Sequence, residues 1–397
     1  MTSNMNRTMQ DAMRLMQAGD LRAATEAIQR GLGRAAEPAE RDWDRDASDT
    51  NAAHIEGQYR VIPENGSAAE TRRSTEPEPE LERNNARGIS EPAPDLGTNE
   101  SSDAEFRDLR FVGSAGAIHY KLFVPAGLGP SPPLLVMLHG CTQSPDDFAR
   151  GTRMNALARE HGYVVAYPAQ AKSKNASKCW NWFRSHDQQR GQGEPAIIAE
   201  LTRHLAKAYR LDDRRVYVAG LSAGGAMAAV LASTYPDVYA AIGVHSGLPI
   251  GAAHDLPSAF AAMRQGASAR AGSVPSMSID RVPAIVFHGD RDTVVHPCNG
   301  AAVVAQCIDG TVSAPPAERD AALVTEVRGS VPGGHAYTRT MFKRADGTIA
   351  AEQWVVHGGA HAWFGGDPAG SYTDPAGPDA SEEMLRFFSM CARPAIN

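Results

Sequence analysis

The chain has 397 residues, 42% hydrophobic, 21% charged and 7% aromatic. That balance excludes a fibre, a coiled coil or a disulfide scaffold and leaves room for one large globular domain with appendages, or for two average ones. A formal charge of -7 argues against broad attraction to nucleic acid or an anionic membrane, and no apolar run reaches the roughly 18 to 20 residues of a transmembrane helix.

The N-terminal segment reads as a helical hairpin over residues 1–33. Met5, Met9, Ala12, Met13 and Met16 recur at spacings of three and four; Gly19-Asp20 interrupts, and Leu21, Ala24, Ile28 and Leu32 resume the pattern. Two short helices cannot bury an apolar face alone, so the hairpin is expected to dock on the rest of the chain, on a second subunit, or, through its methionines, on an apolar surface. The same stretch has no continuous apolar h-region, so it is not read as a secretory signal. Residues 34–105 read as an acidic, disordered linker. From Arg34 to Glu100 there are sixteen acidic and eight basic residues, and Trp43 and Tyr59 are the only aromatics there.

Residues 106–397 change to alternating strand and helix. Arg107–Val112 and His119–Val124 read as an antiparallel hairpin, and Leu134–Leu138 (LLVML) as a strand buried on both faces. A helix near 148–160 precedes a strand at 163–167. After a polar loop come a helix near 196–209, a strand at 216–219, a helix at 223–234 and a strand at 240–244. Strands at 284–288 and 353–357 and a closing helix near 380–391 complete the pattern. The alternation predicts an α/β domain, a mostly parallel sheet flanked by helices.

One stretch stands out chemically. Gly220-Leu221-Ser222-Ala223-Gly224 follows the strand ending VYVA and opens the helix AGGAMAAVLAST. A serine on a sharp strand-to-helix turn is exposed at the sheet's carboxyl edge, with the helix's free amides beside it. In such an architecture the orienting acid and the base follow in the order Ser, Asp/Glu, His. Two aspartates compete after the 284–288 strand. Asp290 directly follows Gly289 and reads as shaping the turn, whereas Asp292 lies further along the loop, where it could turn toward a histidine. His361 occupies the loop after the last strand. His357 is within or just leaving that strand and reads as structural; His335 precedes another strand pair. Two backbone amides are expected to stabilise an oxyanion, that of Ala223 and one in the loop His139-Gly140-Cys141-Thr142-Gln143. Cys141 would act through its N–H, with the thiol packed as a small apolar group; no elbow presents its sulfur as a nucleophile.

Several ordered blocks, LLVMLHGCTQSPDDF, KCWNWF, RGQGEPA, GLSAGGAMA, VHSGLP, HGDRDTVVHP, GGAHAW and SYTDPAGPDASEEMLRFF, span about Phe106 to Cys391. Together they resemble the esterase family of short-chain poly(3-hydroxybutyrate) depolymerases, within the α/β-hydrolase superfamily. The resemblance implies Ser222, Asp292 and His361 as a triad and the amides of Cys141 and Ala223 as oxyanion donors. It implies an ester or polyester substrate and no metal or organic cofactor. Feruloyl and acetylxylan esterases share the family pattern, so a plant-wall or small-ester esterase is the alternative. A granule-binding protein with an inert hydrolase fold is a second. Trp180 and Trp182 either line an apolar acyl groove or lie buried under the polar loop. Cys179 and Cys298, both in loops near the catalytic edge, are candidates for a disulfide. Residues 1–33 would then meet a polymer surface or another subunit. The resemblance implies an extracellular protein; with no secretory signal read at the N-terminus, a cytoplasmic one is the alternative.

Overall fold

The structure, a computed structural model, describes residues 105–267, 282–308 and 323–394. The expected hairpin at 1–33 and the expected linker, apart from its last residue, lie outside the described residues.

The hairpin at the start of the domain forms as expected and runs longer: β1 (Glu105–Gly113) and β2 (Gly116–Val124) pair antiparallel across their full length. Next come β3 (Leu134–Leu138), β4 (Val164–Ala169), β5 (Val216–Leu221), β6 (Ala241–His245) and β7 (Ala284–Gly289). The last long strands are β8 (Leu323–Ser330), β9 (Ala336–Lys343) and β10 (Ile349–Val356). These ten form one sheet in the order β1-β2-β4-β3-β5-β6-β7-β10-β9-β8. The six strands from β4 to β10 in that order are mutually parallel; the flanking pairs are antiparallel.

Parallel strands need crossovers, and the crossover helices supply the cover on both faces. Alternation along each strand divides the core. Leu134, Val136, Leu138, Val218 and Val244 point to the face covered by α3 (Gly193–Ala208), α4 (Ala223–Thr234), α5 (Leu256–Gln265) and α6 (Cys298–Ile308). Leu135, Met137, Ala219 and Phe287 point to the other face, against α1 (Pro145–Thr152), α2 (Met154–His161) and α7 (Ala380–Ser389). All five residues of β3 are fully buried, as its unbroken apolar run requires. Helix α4 is apolar on nearly every side and is buried along nearly its whole length, the expected outcome for a helix without a polar face.

Several elements differ from expectation. The helix predicted at 148–160 is two helices. Arg153 adopts φ 54°, which ends α1, and α2 begins at the next residue. The start is also earlier, because Ser144 caps α1 by accepting from Asp147 N–H and Pro145 fits a first turn that needs no amide donor. Helices α5 and α6 are additional. No described helix is long and apolar enough to cross a membrane.

Strand order places the functional edge. The chain leaves β3 for β4 on one side, while β5 lies on the other side. Loops leaving the carboxyl ends of β3 and β5 therefore diverge there, and such a point opens a crevice in parallel sheets.

Candidate active site

Ser222 sits between β5 and α4 with φ 57° and ψ -117°. A residue with a side chain in this region costs on the order of 1–3 kcal/mol, so surrounding contacts must hold it there. They are tight. A Cβ on Gly224 would lie 2.0 Å from the Leu138 carbonyl oxygen of β3, and one on Gly220 would lie 2.4 Å from the Gly224 carbonyl carbon. Only glycine at both positions lets helix, strand and neighbouring strand come this close. The Ser222 N–H donates to the His245 carbonyl at the end of β6 (2.8 Å), fixing the turn to the next strand.

The two loops beyond β7 and β10 bring Asp292 and His361 together. His361 Nδ1 lies 2.7 Å from Asp292 Oδ2. The Asp292 side chain is fully buried and that of His361 is 9% exposed. Asp292 Oδ1 accepts from Val294 N–H (2.9 Å) and Val295 N–H (2.8 Å), which leaves Oδ2 for the imidazole. Burial opposes ionisation of Asp292, but the His361 charge and hydrogen bonds from His288 and His361 overcome it and hold the carboxyl well below the ordinary range. A carboxylate accepting at Nδ1 puts the proton there and leaves Nε2 able to receive another. Among the described residues, neither Ser222 Oγ nor His361 Nε2 has a hydrogen-bond partner.

His245, quoted in the VHSGLP block but given no role above, joins the two halves. Its carbonyl holds Ser222, while its Nε2 accepts from Phe364 N–H (3.1 Å), three residues beyond His361. Its ring stacks on Trp363 with centroids 4.9 Å apart. Burial first, and the neighbouring His288 and His361 next, hold its pKa well below the ordinary imidazole value, so it is neutral. The signal was present: a lone polar residue ending the buried run AIGVH.

The competing residues form a second pair. His357 Nδ1 lies 3.0 Å from Asp290 Oδ2, its Nε2 lies 2.9 Å from Thr338 Oγ1, and Gly358 N–H donates to Asp290 Oδ1 (2.8 Å). His335 pairs instead with Asp374 (2.9 Å).

The loop after β3 is a turn. Gln143 N–H reaches the Gly140 carbonyl (3.3 Å), and Thr142, third in the turn, has φ 70°, the conformation a type II turn demands there. Its amides are mostly occupied. Gly140 N–H donates to Gln143 Oε1 (2.9 Å) and Thr142 N–H to the Ser177 carbonyl (2.8 Å). Among the described residues, the N–H groups of Cys141 and Ala223 have no acceptor.

Three expectations are corrected here. Cys141 is not a free thiol packed as an apolar group, because it forms a disulfide with Cys179. Cys298 is consequently not the partner of Cys179; it is a free, exposed thiol at the start of α6, 3.0 Å from His296 Nδ1. Trp180 and Trp182 do not line a groove, being 0% and 5% exposed. Trp180 Nε1–H instead donates to the His139 carbonyl (3.1 Å), bracing the turn from below. The loop carrying these residues is organised by buried Glu194, which accepts from Asn181 N–H (2.7 Å), Asn181 Nδ2 and Gln170 Nε2. Burial raises the Glu194 pKa against these hydrogen bonds. Next to it, burial lowers the His139 pKa to about 4, so its neutral ring accepts from Gln170 N–H at Nε2 and donates from Nδ1 to Gly140 O.

The family model described as Esterase PHB depolymerase matches residues 118–329, just over half of the chain. Poly(3-hydroxyalkanoate) depolymerase C of Paucimonas lemoignei is 33% identical over 268 residues, covering 63% of this chain and 60% of that protein. A probable acetylxylan esterase A of Aspergillus flavus is 31% identical over 195 residues, 45% of this chain and 62% of that protein. The chain thus spans about 60% of the length of these curated relatives. Among solved structures, the acetyl xylan esterase from Aspergillus awamori superposes with a TM-score of 0.53 at 19% identity, covering 72% of this chain and 99% of that one. The fold is that of the α/β-hydrolase esterases.

Proposed function

The chain belongs to the Esterase PHB depolymerase family, and from that premise we propose that it is a serine carboxylic-ester hydrolase acting on a polyhydroxyalkanoate such as poly(3-hydroxybutyrate). The observation that carries the reading is the 2.7 Å contact between His361 Nδ1 and buried Asp292, tied through His245 to the strained turn of Ser222.

In this reading Ser222 Oγ attacks the ester carbonyl as its proton passes to His361 Nε2. Asp292 holds the proton on Nδ1 and stabilises the imidazolium. The oxyanion rests on the N–H groups of Cys141 and Ala223, the two amides without an internal acceptor, and the dipole of α4 favours the charge. The C–O bond then breaks, His361 returns its proton to the leaving alcohol, and an acyl group remains on Ser222. Water enters, gives a proton to His361 and repeats the sequence, releasing the acid.

The test is the turbidity of amorphous poly(3-hydroxybutyrate) granules, with wild type beside Ser222→Ala. Clearing by wild type alone supports both nucleophile and polymer. A second reading rests on the 31% identity to an acetylxylan esterase: the same triad cleaves acetyl or feruloyl esters of a plant-wall polysaccharide. Intact granules together with cleaved short soluble esters would favour it. Residues 1–33 are assigned a contact with the polymer surface or with another subunit. Deleting residues 1–100 should then abolish adsorption to polymer, or change the oligomeric state, while leaving soluble-ester turnover unchanged.

A further inference from the structure

We propose that Gln143 is a positioning residue that sets the oxyanion turn in register with the loop carrying His361; the inference rests on the role proposed above for the Cys141 amide. Gln143 is 2% exposed, so its amide must be satisfied within the protein. Both ends are. Oε1 accepts from Gly140 N–H (2.9 Å), and Nε2 faces Asp147 Oδ2 (3.1 Å), the Ser371 carbonyl (3.1 Å) and Ser371 Oγ (3.2 Å).

Each end has a consequence. Capture of the Gly140 amide, with Thr142 N–H held by Ser177, leaves the Cys141 N–H as the turn's open donor. The other end reaches a segment 228 residues away in sequence. There Ser371 N–H donates to Asp147 Oδ1 (2.9 Å), and Ser371 Oγ–H donates to Asp147 Oδ2. The next residue, Tyr372, accepts from Trp363 N–H through its carbonyl (2.7 Å), and Trp363 lies two residues beyond His361. The short strands β11 (Trp363–Phe364) and β12 (Thr373–Asp374) continue that connection. One side chain therefore joins the turn holding the oxyanion donor to Ser371, whose neighbour Tyr372 is hydrogen-bonded to Trp363, two residues after His361.

The role requires an acceptor and a donor on one planar group. Glutamine supplies both, and a carboxylate supplies only the first. Among the described residues, the titratable group in hydrogen-bond contact with this side chain is Asp147 from α1 (3.1 Å).

The experiment measures kcat and KM on a short soluble ester, affinity for a trifluoromethyl ketone analogue of that ester, and melting temperature. It compares wild type, Gln143→Ala, Gln143→Glu and Ser222→Ala. For Gln143→Ala the expected result is a kcat lower by about 100-fold, the scale of a small misplacement of a reacting group. KM should stay within about twofold, and analogue affinity should fall in parallel with kcat/KM. Gln143→Glu should be impaired at neutral pH, and its kcat relative to wild type at the same pH should rise as pH falls, because only a protonated carboxyl can donate to Asp147. The inference is overturned by wild-type kcat in Gln143→Ala, by unchanged analogue affinity, or by a loss of kcat that merely follows the folded fraction. Turnover surviving in Ser222→Ala would instead sink the underlying reading. A dead Ser222→Ala beside a normal Gln143→Ala would sink this inference alone.

Discussion

Two Asp–His pairs occupy the same two loops, two to four residues apart, and they differ in surroundings more than in geometry. Asp292–His361 is 2.7 Å long with side chains 0% and 9% exposed; Asp290–His357 is 3.0 Å long with side chains 38% and 44% exposed. The inner carboxylate also takes two backbone amides and faces a second buried histidine, His288. The outer one takes a single backbone amide and lies in solvent. Water screens an exposed pair to about 1 kcal/mol or less, whereas a buried carboxylate can fix a tautomer and stabilise charge on its imidazole. The outer pair ties the loop after β7 to the loop after β10; the inner pair has the burial and contacts that the proposed chemistry requires.

Removing each imidazole in turn should separate the two pairs by the widest margin. His361→Ala should lower kcat by about 10⁴- to 10⁶-fold. His357→Ala should change kcat/KM by less than about fivefold, matching the roughly 1 kcal/mol of an exposed pair. Comparable losses in ester-hydrolysis assays of the two variants would show that the loops do not separate the roles. The carboxylates should diverge next. Asp292→Asn keeps the shape but frees the wrong tautomer, so about 10⁴-fold should be lost from kcat. Asp290→Asn should leave kcat nearly unchanged, and steady-state kinetics on a soluble ester reads both.

The smallest expected effect is on stability against pH. Both carboxyls lie below their ordinary range, with burial opposing the shift and histidine contacts overriding it. A depressed carboxyl contributes stability that is full above its unfolded value of about 4 and is lost as pH falls through its folded value. Urea midpoints should therefore show the gap between wild type and Asp292→Asn narrowing once pH drops below about 4. The gap for Asp290→Asn should be small throughout. A flat Asp292 gap from pH 7 to pH 3 would mean that the inner pair contributes nothing to folding.

Much of this arrangement was legible in the residues because it rests on local constraint. Gly220 and Gly224 are forced by contacts under 3 Å, so a strand ending in such spacing announces its turn. The run LLVML, only five residues long and bounded by Pro132-Pro133 and Gly140, fits a strand buried on both faces better than a helix. What escaped was set by contacts without periodicity. The Cys141–Cys179 bond joins residues 38 apart through an irregular loop, and neither spacing nor composition marked Cys141 rather than Cys298 as the partner of Cys179. Trp180 faces inward because Glu194 gathers Asn181 and Gln170 around itself, a buried carboxylate network that no local pattern announces. Gln143 meets Ser371 across more than half the chain. Arg153 broke a helix whose apolar spacing continued unaltered through it, since a left-handed residue leaves no mark on hydrophobic periodicity.

In the proposed reaction Ser222 carries the acyl group. The most direct measurement is peptide mass spectrometry after acid quenching during turnover of a slow p-nitrophenyl ester, with Ser222→Ala as control. An acyl adduct on the peptide containing Ser222, absent from the variant, is the predicted result. An adduct on another residue such as Cys298, or an acylated Ser222→Ala protein turning over at the wild-type rate, would contradict it.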